Sequence, residues 1–136
     1  MEHHRARAAL AGLVLVGVAA VTGCSGSHAT SVVPSGYSVS GDGATVTLYV
    51  TDGVCDTLTA SIASQDDQQV RVQATLTWPT PGACPAMARL NSATVTLQQP
   101  LGGRTVRDIS GATIPSCTAP TSVESYDSTC WDTQPS

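Results

Sequence analysis

Beyond residue 23 the chain has few side chains able to do nucleophilic, acid–base or metal chemistry. There is one histidine, His28, in a polar stretch near the N-terminus. A serine or cysteine hydrolase needs a histidine held in a cleft beside its nucleophile, and His28 is poorly placed for that. Zinc and copper sites draw several His or Cys ligands. Here there is one His, one methionine (Met87) and four cysteines better accounted for as bridges. No metal or cofactor is expected, and no catalytic residue is assigned.

The carboxylates give two weak candidates. Asp66-Asp67 could hold calcium or act as an acid pair. Calcium needs six or more oxygens from a shaped loop, so a solvated hairpin tip is the simpler reading. Glu124, Asp127 and Asp132 form a looser acidic group near Cys130. It could meet an ion or a basic partner, and a mobile acidic tail is the simpler reading.

Trp78, Trp131 and Arg104 are the candidates for binding. Trp78 fits the apolar register of its strand and is expected in the core, with a stacking platform as the alternative. Trp131 adjoins Cys130 in a polar tail. It either packs over a disulfide or anchors a partner. Arg104 follows a tight turn, where an arginine contacts a ligand or, more commonly, hydrogen-bonds loop carbonyls or Asp108.

The N-terminus carries its own chemistry. His3-His4-Arg5-Ala6-Arg7 is basic, and the uncharged run from Ala8 to Val21 is 14 residues long. A bilayer span needs about 20 apolar residues, so this run is too short and reads as a secretory signal. It ends in Val21-Thr22-Gly23-Cys24. This run resembles the lipobox of bacterial lipoproteins. The resemblance implies that Cys24 receives a diacylglyceryl group and begins the mature chain, with residues 1–23 removed. Two acyl chains hold a protein stably on a membrane where one does not.

Residues 24–136 contain four arginines, no lysine and nine acids, a net charge of −5. There is no basic patch, so nucleic acid is not an expected partner. The length suits one domain. Residues 24–36 are small, polar and aperiodic and read as a flexible tether. A β-domain is expected over 37–116 and a disulfide-pinned tail over 117–136.

Alternation marks the strands. Val46, Leu48 and Val50 oppose Thr45, Thr47 and Tyr49. Asp52-Gly53 suits a two-residue hairpin turn. Leu58, Ala60 and Ile62 alternate in a second strand, and Gln65 to Gln68 form a polar tip. Val70, Val72, Ala74, Leu76 and Trp78 alternate in a third. These three are expected to form a meander. Prolines make residues 79–91 a loop, with a short helical turn near Met87. Further strands are expected over 94–98 and 104–109. Val46, Leu48, Val50, Leu58, Ile62, Val70, Val72, Leu76, Val95, Leu97 and Val106 should be inside. The fold class is all-β, a small antiparallel β-sandwich, immunoglobulin-like or a partly open barrel.

Four cysteines remain once Cys24 carries lipid, in an oxidising compartment. They allow three pairings. Placement favours Cys55–Cys84, because one hairpin brings the start of its first strand and the end of its second together. Cys117–Cys130 then pins the tail.

The stretch from Cys55 to Asp108 is similar to a recurrent domain of small secreted or lipid-anchored proteins of high-GC Gram-positive bacteria. The residues behind this are Cys55, Cys84-Pro85-Ala86, Arg89 and the run from Val95 to Asp108, with Pro100-Leu101-Gly102-Gly103-Arg104 at its centre. The resemblance implies fold and location only.

The expectation is therefore a non-enzymatic binding or envelope-assembly module, extracytoplasmic and tied to the membrane through lipid on Cys24. Its partner would be an envelope protein or polymer. The alternatives are a small-ligand carrier with an apolar cavity and a carboxylate-based enzyme or accessory subunit.

Overall fold

Alternating valine, leucine and threonine produce strands that are apolar on one side only, and two such sheets must close on each other. The computed structural model describes residues 27–79, 84–120 and 129–131. It contains β1 (Ser27–Val32), β2 (Gly36–Val39), β3 (Thr45–Gly53), β4 (Thr57–Gln65), β5 (Gln69–Pro79), β6 (Ala88–Thr96) and β7 (Thr105–Asp108), with a 3-10 turn at Thr129–Trp131. One sheet has β5 at its centre, paired with β1, β4 and β7. The other runs β2-β3-β6. The arrangement is a β-sandwich with disulfides Cys55–Cys84 and Cys117–Cys130.

The core lies between the sheets. Val46, Leu48 and Val50 of β3 and Val95 of β6 face Leu58 of β4 and Val70, Val72, Ala74 and Leu76 of β5. Val106, Leu97, Leu101 and Ile114 close it at the β7 side. Ile62 is half-buried rather than inside, beside the register shift between Ile62 and Ser64 that ends the clean β4–β5 pairing. A second, smaller cluster lies on the outer face of β3, where Tyr49, Leu90 and Cys130 are buried and Cys117 packs against them.

Several expectations are corrected by the pairing. The segment read as a tether is strand from Ser27 to Val32, in antiparallel register with β5 from Pro79 to Ala74. Strand structure is thus present from ten residues before Tyr37. The reason lies in β5: β7 covers only its first part, Gln69 to Val72, so the rest of that edge needs partners for its backbone groups. Asp52-Gly53 is not a hairpin turn either. Both residues pair with β6, as Asp52↔Arg89 and Gly53↔Ala88. A type I′ turn needs positive φ, and Gly53 is not among the described glycines that adopt it. The chain instead turns at Gly53–Asp56, where Asp56 N–H donates to the Gly53 carbonyl at 3.1 Å. It then crosses to the other sheet. The first three expected strands are therefore no meander, although β4 and β5 do form the expected hairpin. The expected loop 79–91 gives way to strand at Ala88, and β7 runs parallel to β5.

The tail adds to the β2-β3-β6 sheet. Tyr37 N–H donates to the Pro115 carbonyl at 3.0 Å, and Cys117 N–H to the Tyr37 carbonyl at 2.8 Å. Gly36 is required at this contact: a Cβ there would lie 2.7 Å from Cys117 Sγ.

Candidate functional site

The inward registers change character at one end of the sandwich. Along β3 the inner side runs Val46, Leu48, Val50 and then Asp52. Opposite these, β6 presents Val95, Ala93, Asn91 and Arg89. Along β5 the register ends in Trp78, and β1 sets His28 opposite it. The core therefore opens into a polar and aromatic mouth at the end where β1 begins and β5 stops.

The mouth contains a cleft of about 400 Å3, lined by Thr30, Val32, Asp52, Asp56, Leu76 and Trp78. Trp78 is half-buried rather than in the core. His28 stacks on it, with ring centroids 5.8 Å apart and planes at 26°. The structure thus places His28 on a strand beside the cleft and not on a tether. Asp52 is exposed and Asp56 is half-buried. The Gly53 N–H donates to both, at 2.9 Å to Asp52 Oδ1 and 2.7 Å to Asp56 Oδ2. Cys55–Cys84 fixes the chain beside Asp56.

A smaller groove of about 250 Å3, which shares Asp56 with the cleft, lies between β4 and β6. Its floor carries buried Asn91. Asn91 Oδ1 accepts from Arg89 Nη2 at 2.8 Å and Nε at 3.2 Å, and its amide donates to the Gly53 carbonyl at 3.3 Å. Asn91 thereby ties Arg89 to the turn that holds both carboxylates. It is the member of the site that sequence reasoning missed. The signal was the unbroken register from Val95 inward to Arg89, hidden because that stretch read as loop.

The other sequence candidates lie elsewhere. Arg104 sits at the opposite end, half-buried. It donates to the carbonyls of Leu101 (3.2 Å), Asp66 (3.2 Å), Gln99 (2.9 Å) and Pro100 (3.0 Å). Its planar fork clamps two turns together. Asp108 is buried and accepts from the Ser110 hydroxyl and the Ala112 N–H rather than from Arg104. Asp66 caps the β4–β5 tip by accepting from the Gln68 and Gln69 N–H groups at 2.8 and 2.9 Å. These two amides, with smaller help from Arg104 and Arg71, hold its carboxyl below the ordinary value. No group of three or more potential metal ligands occurs among the described residues. Cys24, Glu124, Asp127, Asp132 and the Trp131 side chain lie outside them.

The chemistry available in the cleft is that of two converging carboxylates, an indole and a threonine hydroxyl over an apolar floor. This arrangement binds through charge, stacking and hydrogen bonds. The large exposed apolar side chains, Val33, Val39, Met87 and Ile109, are scattered over four separate segments. No helix among the described residues is long and apolar enough to cross a membrane. Compared with known families, curated proteins and solved structures, the chain matches none.

Proposed function

We propose that the protein is a lipid-anchored, extracytoplasmic binding domain without catalytic activity, and that its ligand enters the cleft at the β1 end of the sandwich. The observation that carries this reading is the inward register that turns from valine and leucine to Asp52 and Trp78 around an open cleft of about 400 Å3. The two disulfides accord with an oxidising compartment. Val21-Thr22-Gly23-Cys24 supplies the anchor.

Fractionation of bacteria expressing the full chain, combined with intact mass, tests the anchor. The chain should sediment with membranes and carry a diacylglyceryl mass on Cys24. Cys24→Ala should lose that mass and remain unprocessed. Membrane association without any lipid mass would sink the anchor.

A further inference from the structure

We infer that the Trp78 cleft faces the bilayer and takes the ammonium group of a phospholipid headgroup. This rests on the proposed lipidation of Cys24 and deepens it. The first argument is chain length. β1 begins at Ser27, opposite Pro79, and His28 pairs with Trp78. Consecutive Cα atoms are 3.8 Å apart, so Cys24 lies within about 11 Å of Ser27 whatever path the chain takes. An acylated Cys24 is held at the level of the headgroups. The end of the sandwich that carries Trp78, Asp52 and Asp56 is therefore held against them. The opposite end, with the Asp66 cap, lies one length of β5 away, about 30 Å at 3.3 Å per residue.

The second argument is charge. The cleft lining contains two carboxylates and an indole but no arginine or lysine. Among the described residues neither carboxylate is paired with an arginine; both accept from the Gly53 N–H. A cation beside two carboxylates and an indole gains from both interactions. An anion there would be repelled, and residues 24–136 carry a net charge of −5. Purely anionic headgroups thus oppose the close approach that a three-residue connection imposes. A zwitterionic headgroup such as ethanolamine offers an ammonium at the end of a short arm, and the cleft volume lies within the usual range for small-molecule sites.

The test uses the lipidated full-length product carrying Trp131→Phe, which leaves Trp78 as the only tryptophan. Intact mass first verifies the lipid on Cys24. The protein is then reconstituted into vesicles of phosphatidylglycerol alone or mixed with phosphatidylethanolamine, each containing a brominated lipid that quenches indole fluorescence. Trp78 should be quenched several-fold more strongly when phosphatidylethanolamine is present. Asp52→Asn/Asp56→Asn should remove that difference. Asp52→Asn alone, at an exposed carboxylate, should reduce it and keeps the test readable should the double variant fail to fold. Quenching that ignores phosphatidylethanolamine, or that survives the Asn substitutions, overturns the headgroup assignment. So does free ethanolamine that saturates the cleft as well as the lipid does, or a lysine-rich peptide that alone shields Trp78. Absence of quenching in every vesicle overturns the orientation. A missing lipid mass overturns the anchor itself and is seen before any vesicle is made.

Discussion

Asp52 and Asp56 converge on a single donor, the Gly53 N–H, at 2.9 and 2.7 Å. One residue of backbone thus sets the distance between two carboxylates that the sequence places four apart. A Cβ at position 53 would lie 2.7 Å from Asp56 Oδ2, closer than side-chain atoms pack. Gly53→Ala should displace the Asp56 carboxylate and spread the pair. The expected crystallographic result is a rotated Asp56 side chain with β3 and β4 unchanged. An unmoved Asp56 would show that the turn yields instead.

Removing the two disulfides should have unequal effects. The Cys55–Cys84 loop has a sequence separation of 29 and the Cys117–Cys130 loop one of 13. Chain entropy alone assigns each about 3 kcal/mol, with slightly more for the longer loop. Burial reverses that order. Cys130 is wholly buried against Tyr49 and Leu90, while Cys55 and Cys84 are exposed. Cys117→Ala/Cys130→Ala should therefore cost about 4–5 kcal/mol, adding lost packing to lost closure. Cys55→Ala/Cys84→Ala should cost about 3 kcal/mol. Urea unfolding of the two double variants gives the order directly.

Gly36→Ala should destabilise the contact between β2 and the tail. The added methyl meets Cys117 Sγ at 2.7 Å and Cys117 Cβ at 3.1 Å. Forced overpacking of this kind costs about 1–3 kcal/mol. Faster amide exchange at Cys117, whose N–H donates to the Tyr37 carbonyl, would report where the loss falls.

Arg104→Lys should not substitute for arginine. A lysine ammonium cannot reach four carbonyls spread over two turns as a planar fork does. The expected loss is about 1–2 kcal/mol in denaturant unfolding. The Trp78 cleft, at the other end of the sandwich, should bind as before. A change in cleft binding would show that the two ends communicate.

Acid should loosen two turns before the rest of the fold. Ser40 and the Ala44 N–H hold the Asp42 carboxyl below its ordinary value of 3.8. The Gln68 and Gln69 amides do the same for Asp66. A lowered folded value means that the stabilisation is complete above 3.8 and is lost as pH falls through the lower folded value. Carboxyl NMR titration should show both groups protonating at lower pH than the unfolded chain. Amide exchange at Ala44, Gln68 and Gln69 should rise over the same window.

The parts of the fold that were legible in the sequence are those set by local alternation. Val46, Leu48 and Val50, and Val70 through Leu76, face the core as their period of two requires. The Cys55–Cys84 pairing followed from the β4–β5 hairpin. Sheet membership was not legible, because it depends on pairing between distant segments. Asp52-Gly53 looks like a hairpin until Arg89 and Ala88 are known to lie opposite. Ser27 to Val32 carries little apolar signal and becomes strand only because β5 has an unfilled edge. The cleft was half legible: Trp78 was singled out, but Asn91 and Arg89 were hidden by the prolines before them.

Strand β1 has a consequence for the order of events during synthesis. Its partners, Ala74 to Pro79, are made long after it, and that pairing cannot form until they emerge. Ser27 to Val32 must therefore wait as unpaired chain until β5 has been made. Docking of β1 closes the interval. Non-local pairing of this kind is slow, so the topology itself makes the docking of β1 a late step in folding.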